Sequence, residues 1–184
     1  MKTAITGGIG SGKSYVCQLL AKQGIQVYDC DAAAKRLMRQ SPRLRQQLTE
    51  LIGPDTYDAT GRLDKAAVSR FLLASPQNAA AISAIVHPAV AADFTESGEE
   101  WMECAILFES GFDRLVDRVI AVTAPEEVRL QRIMQRDGIT REQALEWIGR
   151  QLPQQEVRRR ADMEIVNDGK TDLGGQIASI LAAV

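Results

Sequence analysis

Histidine and cysteine are scarce in this chain of 184 residues, and their scarcity excludes whole classes of site. The one histidine, His87, excludes a metal site built from several histidines. The three cysteines, Cys17, Cys30 and Cys104, are dispersed and form no Cys-x-x-Cys pair. Such a set is typical of reduced thiols and argues against a disulfide framework or a zinc site.

Long apolar runs and an excess of positive charge are also missing. No stretch reaches the length that spans a bilayer, and no charged-then-apolar signal segment opens the chain, so we expect no membrane partner and a cytoplasmic location. A formal net charge of −2 supplies no overall basic field, which argues against nucleic acid as a partner. The length suits one domain, with room for an inserted subdomain.

The strongest local pattern is a glycine-rich loop near the start of the chain. It fits Gly-x-x-x-x-Gly-Lys-Ser, which arises by chance in on the order of one chain in 150 of this length. An apolar run (Thr3 to Thr6) precedes it, and a helical pattern ending at Gly24 follows, so the loop joins a strand to a helix N-terminus. The alternative is a glycine-rich surface turn. The loop consists of Gly7, Gly8, Ile9, Gly10, Ser11, Gly12, Lys13 and Ser14.

This placement predicts a nucleotide triphosphate site. Glycines let the backbone turn its N–H groups toward an anion, and the positive end of the helix dipole points to the same place. Lys13 can reach the outer phosphates, and Ser14 can offer its hydroxyl to Mg²⁺.

The rest of the chain alternates strands with helices, which predicts an α/β fold with a parallel sheet between helices. A block of helical patterns, residues 41–98, interrupts the alternation as an insertion. Ligands of such folds bind at the carboxyl ends of the strands. Strands are predicted at residues 3–6, 25–28, 103–108, 118–122 and 164–166.

Two aspartates, Asp29 and Asp31, follow the second predicted strand at that functional edge. Phosphoryl transfer to an alcohol needs a carboxylate that accepts the hydroxyl proton, and either residue could serve. The alternative is that they only cap the helix that begins after them. We expect at least one to be functional, because they lie at the same edge as the phosphate loop.

Arginines repeat along one face of a helix predicted at residues 126–136. Arg129, Arg132 and Arg136 are three and four residues apart, and Arg132 and Arg136 are candidates to bind nucleotide phosphates. The alternative is a solvated charged face. His87 either caps a helix that Pro88 ends or kinks, or takes part in binding.

Glu109 closes the third predicted strand, where it could bind substrate or cap a turn.

Six motifs follow one another along the chain: Thr6 to Ser14, Asp29-Cys30-Asp31, His87-Pro88, Leu107-Phe108-Glu109, Gln135-Arg136-Asp137, and Ala161-Asp162 with Asn167-Asp168-Gly169. In this order they resemble the motifs of the dephospho-coenzyme A kinase family. The resemblance runs nearly end to end and implies transfer of the γ-phosphoryl group of ATP, with Mg²⁺, to the ribose 3′-hydroxyl of dephospho-coenzyme A.

The resemblance also implies a role for each motif. Asp31 would be the general base, Gly8 to Ser14 would hold the ATP phosphates, and Lys13 and Arg136 would act in catalysis. Arg132 and Arg136 would belong to the lid side of the nucleotide site, with Asn167 and Gly169 at its adenine end. His87 and the helical insertion would face the acceptor, and Glu109 is kept as a candidate to bind it.

The implied organisation is a P-loop three-layer sandwich with a five-stranded parallel sheet, a helical substrate-binding insertion and a small lid. The nucleotide core would take about residues 1–31, 101–136 and 161–184, the substrate subdomain 32–100 and the lid 137–160. Tyr15 stands where the family usually has threonine, and Trp147 where it often has arginine.

Two other functions compete with this one. Another small-molecule kinase could use the same core with a different acceptor, and a nucleotide-gated binding module would keep the loop without needing an acceptor carboxylate. The sequence determines no oligomeric state.

Overall fold

The computed structural model, which describes residues 1–183, contains a five-stranded sheet. Its strand order is β2-β3-β1-β4-β5, and the pairs whose register is described are parallel. This confirms the predicted α/β fold class. The strands are β1 (Thr3–Thr6), β2 (Tyr28–Asp29), β3 (Trp101–Glu103), β4 (Arg118–Thr123) and β5 (Met163–Val166).

Strand β1 occupies the middle of the sheet. Thr3 aligns with Trp101 of β3 on one side and with Arg118 of β4 on the other. All four residues of β1 are at most 1% exposed, as expected for a strand covered on both faces. The chain leaves β1 toward β2 and leaves β4 toward β5, in opposite directions. The crevice between the ends of β1 and β4 is therefore the place where such sheets bind ligands.

Ten helices accompany the sheet within the described residues. Short 3₁₀ turns also occur at Pro54–Thr56 and Phe112–Leu115. The helices are α1 (Lys13–Lys22), α2 (Cys30–Gln40), α3 (Pro42–Ile52), α4 (Lys65–Ala74), α5 (Gln77–Ser97), α6 (Leu107–Ser110), α7 (Glu126–Asp137), α8 (Arg141–Gly149), α9 (Gln154–Arg160) and α10 (Leu173–Ala183).

The chain divides into two compact units: residues 29–98 form a helical unit, and the rest of the described chain forms the sheet unit. In the sheet unit, apolar side chains of β1, β4 and β5 pack with those of α1 and α10 in one core. Ile5, Val16 and Ile120 are almost completely buried there. A smaller cluster around Leu130 and Ile133 joins α7 to α8.

In the helical unit, α5 packs against α2, α3 and α4. Phe94 is completely buried in this unit, and Leu44 and Leu48 are nearly so. Helix α5 continues through Pro88, so the alternative in which the helix ends at His87 is wrong. Val86 and Val90 are buried on either side of the proline, and this packing offsets the hydrogen bond that the proline removes.

Two predicted strands are displaced. The second is Tyr28–Asp29, later than predicted, because residues 25–27 only lead into it. The third is Trp101–Glu103, and of the apolar run predicted as strand, Leu107 and Phe108 belong to the helical turn α6, with a turn before them. A short buried helical turn and a buried strand have the same apolar composition, so the pattern could not separate them. No helix in the described part of the chain is long and apolar enough to cross a membrane.

Candidate nucleotide site

The loop between β1 and α1 surrounds the amine of its own lysine. Lys13 is 8% exposed, and its Nζ donates to the carbonyl of Gly7 at 2.7 Å and to that of Gly8 at 3.5 Å. Gly12 precedes α1 with φ 91° and ψ 28°, a left-handed conformation that side chains disfavour. The sequence therefore places the ammonium group at the Gly7–Gly8 end of the loop.

Ser14 supplies oxygen chemistry at the start of α1. The residue is exposed, and its Oγ lies 3.4 Å from Oε1 of Glu103, at the end of β3. A hydroxyl beside a carboxylate is a set of hard oxygen donors, which suits Mg²⁺, an ion that takes few protein ligands and keeps phosphate oxygens and waters. The residues present therefore fit that ion, although Glu103 was not among the predicted site residues.

Asn167, directly after β5, joins two predicted parts of the site. Its buried side-chain Nδ2 donates to the carbonyl of Ser11 at 2.9 Å, and its Oδ1 accepts from Nη2 of Arg132 at 3.3 Å. Nη1 of Arg132 donates to the carbonyls of Gly10 and Ser11, both at 3.3 Å. The loop, α7 and the end of β5 therefore meet around one hydrogen-bonded group.

A cleft of about 680 Å³ opens beside this group. Tyr15 lines it from α1 and is 52% exposed, which is unusual for so large a ring. Gly169, left-handed with φ 82°, lines it from the turn after β5. The volume lies in the range of small-molecule sites, and Gly12 of the loop forms part of the lining.

Arg129 was not among the predicted site residues. It lies in α7, is 4% exposed, and its Nε donates to the carbonyl of Ile9 at 2.9 Å. A methyl group at Gly8 would overlap Nη2 of Arg129, so a side chain at this position would displace the guanidinium group. Burial lowers the pKa of Arg129, and the Glu126 carboxylate opposes that shift. The signal was present, since Arg129 lies on the same predicted face as Arg132.

Two glutamines near α9 were likewise not among the predicted site residues. The N–H of Ile9 donates to Oε1 of Gln151 at 2.7 Å, and the N–H of Ala124, after β4, donates to Oε1 of Gln154 at 3.1 Å. These two hydrogen bonds connect the segment between α8 and α9 to the phosphate loop and to the end of β4. No motif in the sequence indicates such contacts, because each depends on residues far apart in the chain.

Arg136 and Glu109 make contacts other than those with the loop. Arg136 is exposed, and its guanidinium binds the neighbouring carboxylate of Asp137, which raises the pKa of Arg136 and lowers that of Asp137. Oε1 of Glu109 accepts a hydrogen bond from the N–H of Leu152 at 3.1 Å. Both side chains are exposed and remain available to a ligand.

The two aspartates after β2 have different local roles. Oδ1 of Asp29 accepts from the N–H of Ala32 at 2.9 Å, so Asp29 is the N-cap of α2. Asp31 lies in the first turn of α2, is exposed, and makes no hydrogen bond or ion pair with any residue in the described part of the chain. The capping alternative therefore applies to Asp29, and the carboxylate of Asp31 is left available for chemistry.

His87 is half-buried within α5 of the helical unit. Burial lowers the pKa of its imidazole from the ordinary value of 6.5, so the ring is neutral at pH 7. A neutral imidazole can both donate and accept a hydrogen bond.

Three comparisons with known proteins bear on this site. A family model described as dephospho-CoA kinase matches residues 1–172. A dephospho-CoA kinase from Bacteroides fragilis is 38% identical over 99% of this chain and 92% of its own length. One from Chlorobaculum tepidum is also 38% identical, over 91% of this chain and 86% of its own.

Solved structures agree on the fold. The Thermus thermophilus protein TT1252 is 34% identical with a TM-score of 0.84, covering 100% of this chain and 97% of its own. A dephospho-CoA kinase from Campylobacter jejuni, 20% identical, has a TM-score of 0.71 and covers 99% and 96%. A shikimate kinase from Acinetobacter baumannii, 15% identical, has a TM-score of 0.58 and covers 98% and 90%. The last two are similar in fold alone.

Proposed function

The chain belongs to the dephospho-CoA kinase family, and on that premise we propose that it transfers the γ-phosphoryl group of ATP to the ribose 3′-hydroxyl of dephospho-CoA. The observation that carries this proposal is the phosphate loop, with the amine of Lys13 inside it and Arg132 and Asn167 hydrogen-bonded to it. Phosphoryl transfer depends on positioned phosphates and nearby positive charge, which this loop is built to supply.

Each residue has a proposed role. Lys13 and the loop N–H groups bind the outer phosphates, and Asp31 accepts the proton of the acceptor hydroxyl, supported by the exposure of its carboxylate. Arg132 and Asn167 bind the nucleotide side of the cleft, with Gly169 at its adenine end. Arg136 acts on the transferring phosphoryl group after leaving Asp137.

The acceptor roles belong to the helical insertion, where His87 offers a neutral imidazole, and to Glu109. Mg²⁺, held by Ser14 and the phosphate oxygens, would neutralise charge on the transferring group. The three cysteines are free thiols, which supports a cytoplasmic location.

The test is a product assay with a panel of acceptors. Purified protein with ATP and Mg²⁺ should convert dephospho-CoA to CoA and release ADP in equal amount. Shikimate and nucleoside monophosphates serve as competing acceptors, because the fold alone is shared with shikimate kinases. Absence of CoA, or faster transfer to another acceptor, would overturn the proposal.

A further inference from the structure

Arg129 is a buried cation without an anionic partner in the described part of the chain. Its side chain makes one hydrogen bond, from Nε to the carbonyl of Ile9, and no ion pair. Glu126 influences it only at longer range. Removing a charged group from water is costly unless an opposite charge compensates it, so the burial of this guanidinium calls for an anion.

The guanidinium lies at the end of the loop where the outer phosphates are held. It covers Gly8, where an added side chain would have to displace Nη2. The Nζ of Lys13 is bonded to the carbonyl of Gly7 and lies 3.5 Å from that of Gly8. Because the lysine of such loops reaches the β- and γ-phosphates, both cations face the same part of the nucleotide.

We propose that Arg129 is a further catalytic residue, whose Nη groups bind the outer phosphates of the nucleotide while its Nε holds the carbonyl of Ile9. The inference rests on the proposed function. In the transfer, the bond between the γ-phosphorus and the β–γ bridging oxygen breaks, and a bond from that phosphorus to the acceptor oxygen forms. The acceptor proton goes to Asp31, and the bond electrons stay on the β-phosphate of ADP. Arg129 stabilises that developing charge.

The neighbouring arginines differ in their partners. Arg132 is engaged with two loop carbonyls and with Asn167, at the Gly10–Ser11 end of the loop. Arg136 is exposed and bound to Asp137. A purely structural clamp on Ile9 would need one neutral donor, whereas Arg129 brings a charge and two further nitrogen groups to this position.

The test compares Arg129→Met and Arg129→Lys with Arg159→Met, which removes an exposed arginine paired with Glu156. In Arg129→Met, kcat should fall by about 10²–10³-fold, the loss seen when one transition-state donor is removed. The melting temperature without nucleotide should change little, because removal of an uncompensated buried charge offsets the loss of the hydrogen bond to the Ile9 carbonyl. The rise in melting temperature on adding ATP should shrink.

Arg129→Lys keeps the positive charge but lacks the forked guanidinium group, so it should recover part of kcat. Arg159→Met should match wild type.

A structural clamp would give the opposite pattern: a lower melting temperature without nucleotide, with the ATP-induced rise and kcat preserved. If Arg129→Met folds poorly, Arg129→Lys decides the question, and wild-type kcat in that variant overturns the inference. Failure of the proposed function is distinguishable, because wild-type protein would then make no CoA. The nucleotide-induced melting shifts would still report whether Arg129 binds phosphate.

Discussion

Replacing Gly12 with alanine should destabilise the protein through two separable costs. The first is the backbone: Gly12 has φ 91°, and a left-handed conformation costs a residue with a side chain about 1–2 kcal/mol. The second is a collision, because the new methyl group would overlap Nδ2 of Asn167. That nitrogen donates to the carbonyl of Ser11, and separating a buried pair of this kind costs about 1–3 kcal/mol. Together they predict a loss of about 2–5 kcal/mol in the free energy of unfolding.

Two other glycines provide matched controls. Gly24 has φ 83° and no atom within 4 Å of the added methyl group, so Gly24→Ala should show the backbone cost alone. Gly149, at the end of α8, has neither a positive φ nor a neighbour within 4 Å, so Gly149→Ala should stabilise the protein by about 0.4–1 kcal/mol.

Urea denaturation of the three variants and wild type measures these differences. Gly12→Ala should lose more stability than Gly24→Ala, and the excess is the cost of displacing Asn167. If the two lose equal stability, the argument that Asn167 packs on the loop is refuted. Turnover should fall in Gly12→Ala and stay at wild-type level in Gly149→Ala.

Three further results are expected. Asp31→Asn should bind ATP normally while kcat falls by about 10²–10⁴-fold, and wild-type turnover would exclude Asp31 as the base. Tyr15→Thr restores the hydroxyl of the family pattern and should lower the KM for ATP by up to about tenfold, the worth of one hydrogen bond; an unchanged KM would contradict this. The pKa of folded His87 lies below 6.5, so as pH falls through that value the unfolded state binds the proton first, and stability is lost. Wild type should therefore lose more stability than His87→Gln between about pH 7.5 and about pH 5.5 in urea titrations, and equal losses would disprove the linkage.

The parts of the fold that the sequence predicts well have strong local signals. Strand β1, the loop and α1 follow from an apolar run, a glycine-rich loop and a helical repeat in immediate succession. Helix α7 runs from Glu126 to Asp137, within one residue of its prediction, because acidic residues begin it and Gly138 ends it in a left-handed conformation. Strand β3 was misplaced because its buried neighbours Cys104 and Leu107 resemble strand residues in composition.

Contacts distant in sequence were harder to predict. The helical spacing places Arg129 on the same face as Arg132 but does not indicate its burial, since an arginine on a helical face is usually solvated. Its burial follows from the direction in which α7 leaves β4, which brings that turn against the loop. The contact of Gln151 with Ile9 joins residues 142 positions apart, and no periodic pattern records such a separation.

Strand β1 connects the phosphate loop directly to the buried part of the sheet. Its four residues are at most 1% exposed and hydrogen-bonded between β3 and β4, so their amide hydrogens exchange with solvent only when the sheet itself opens. The phosphate loop begins at the next residue, Gly7, so we expect slow amide exchange at the N-terminal end of the loop as well. Loss of nucleotide binding should therefore coincide with exchange of the Thr3–Thr6 amides, and a change that slows opening of the sheet should extend the lifetime of the enzyme.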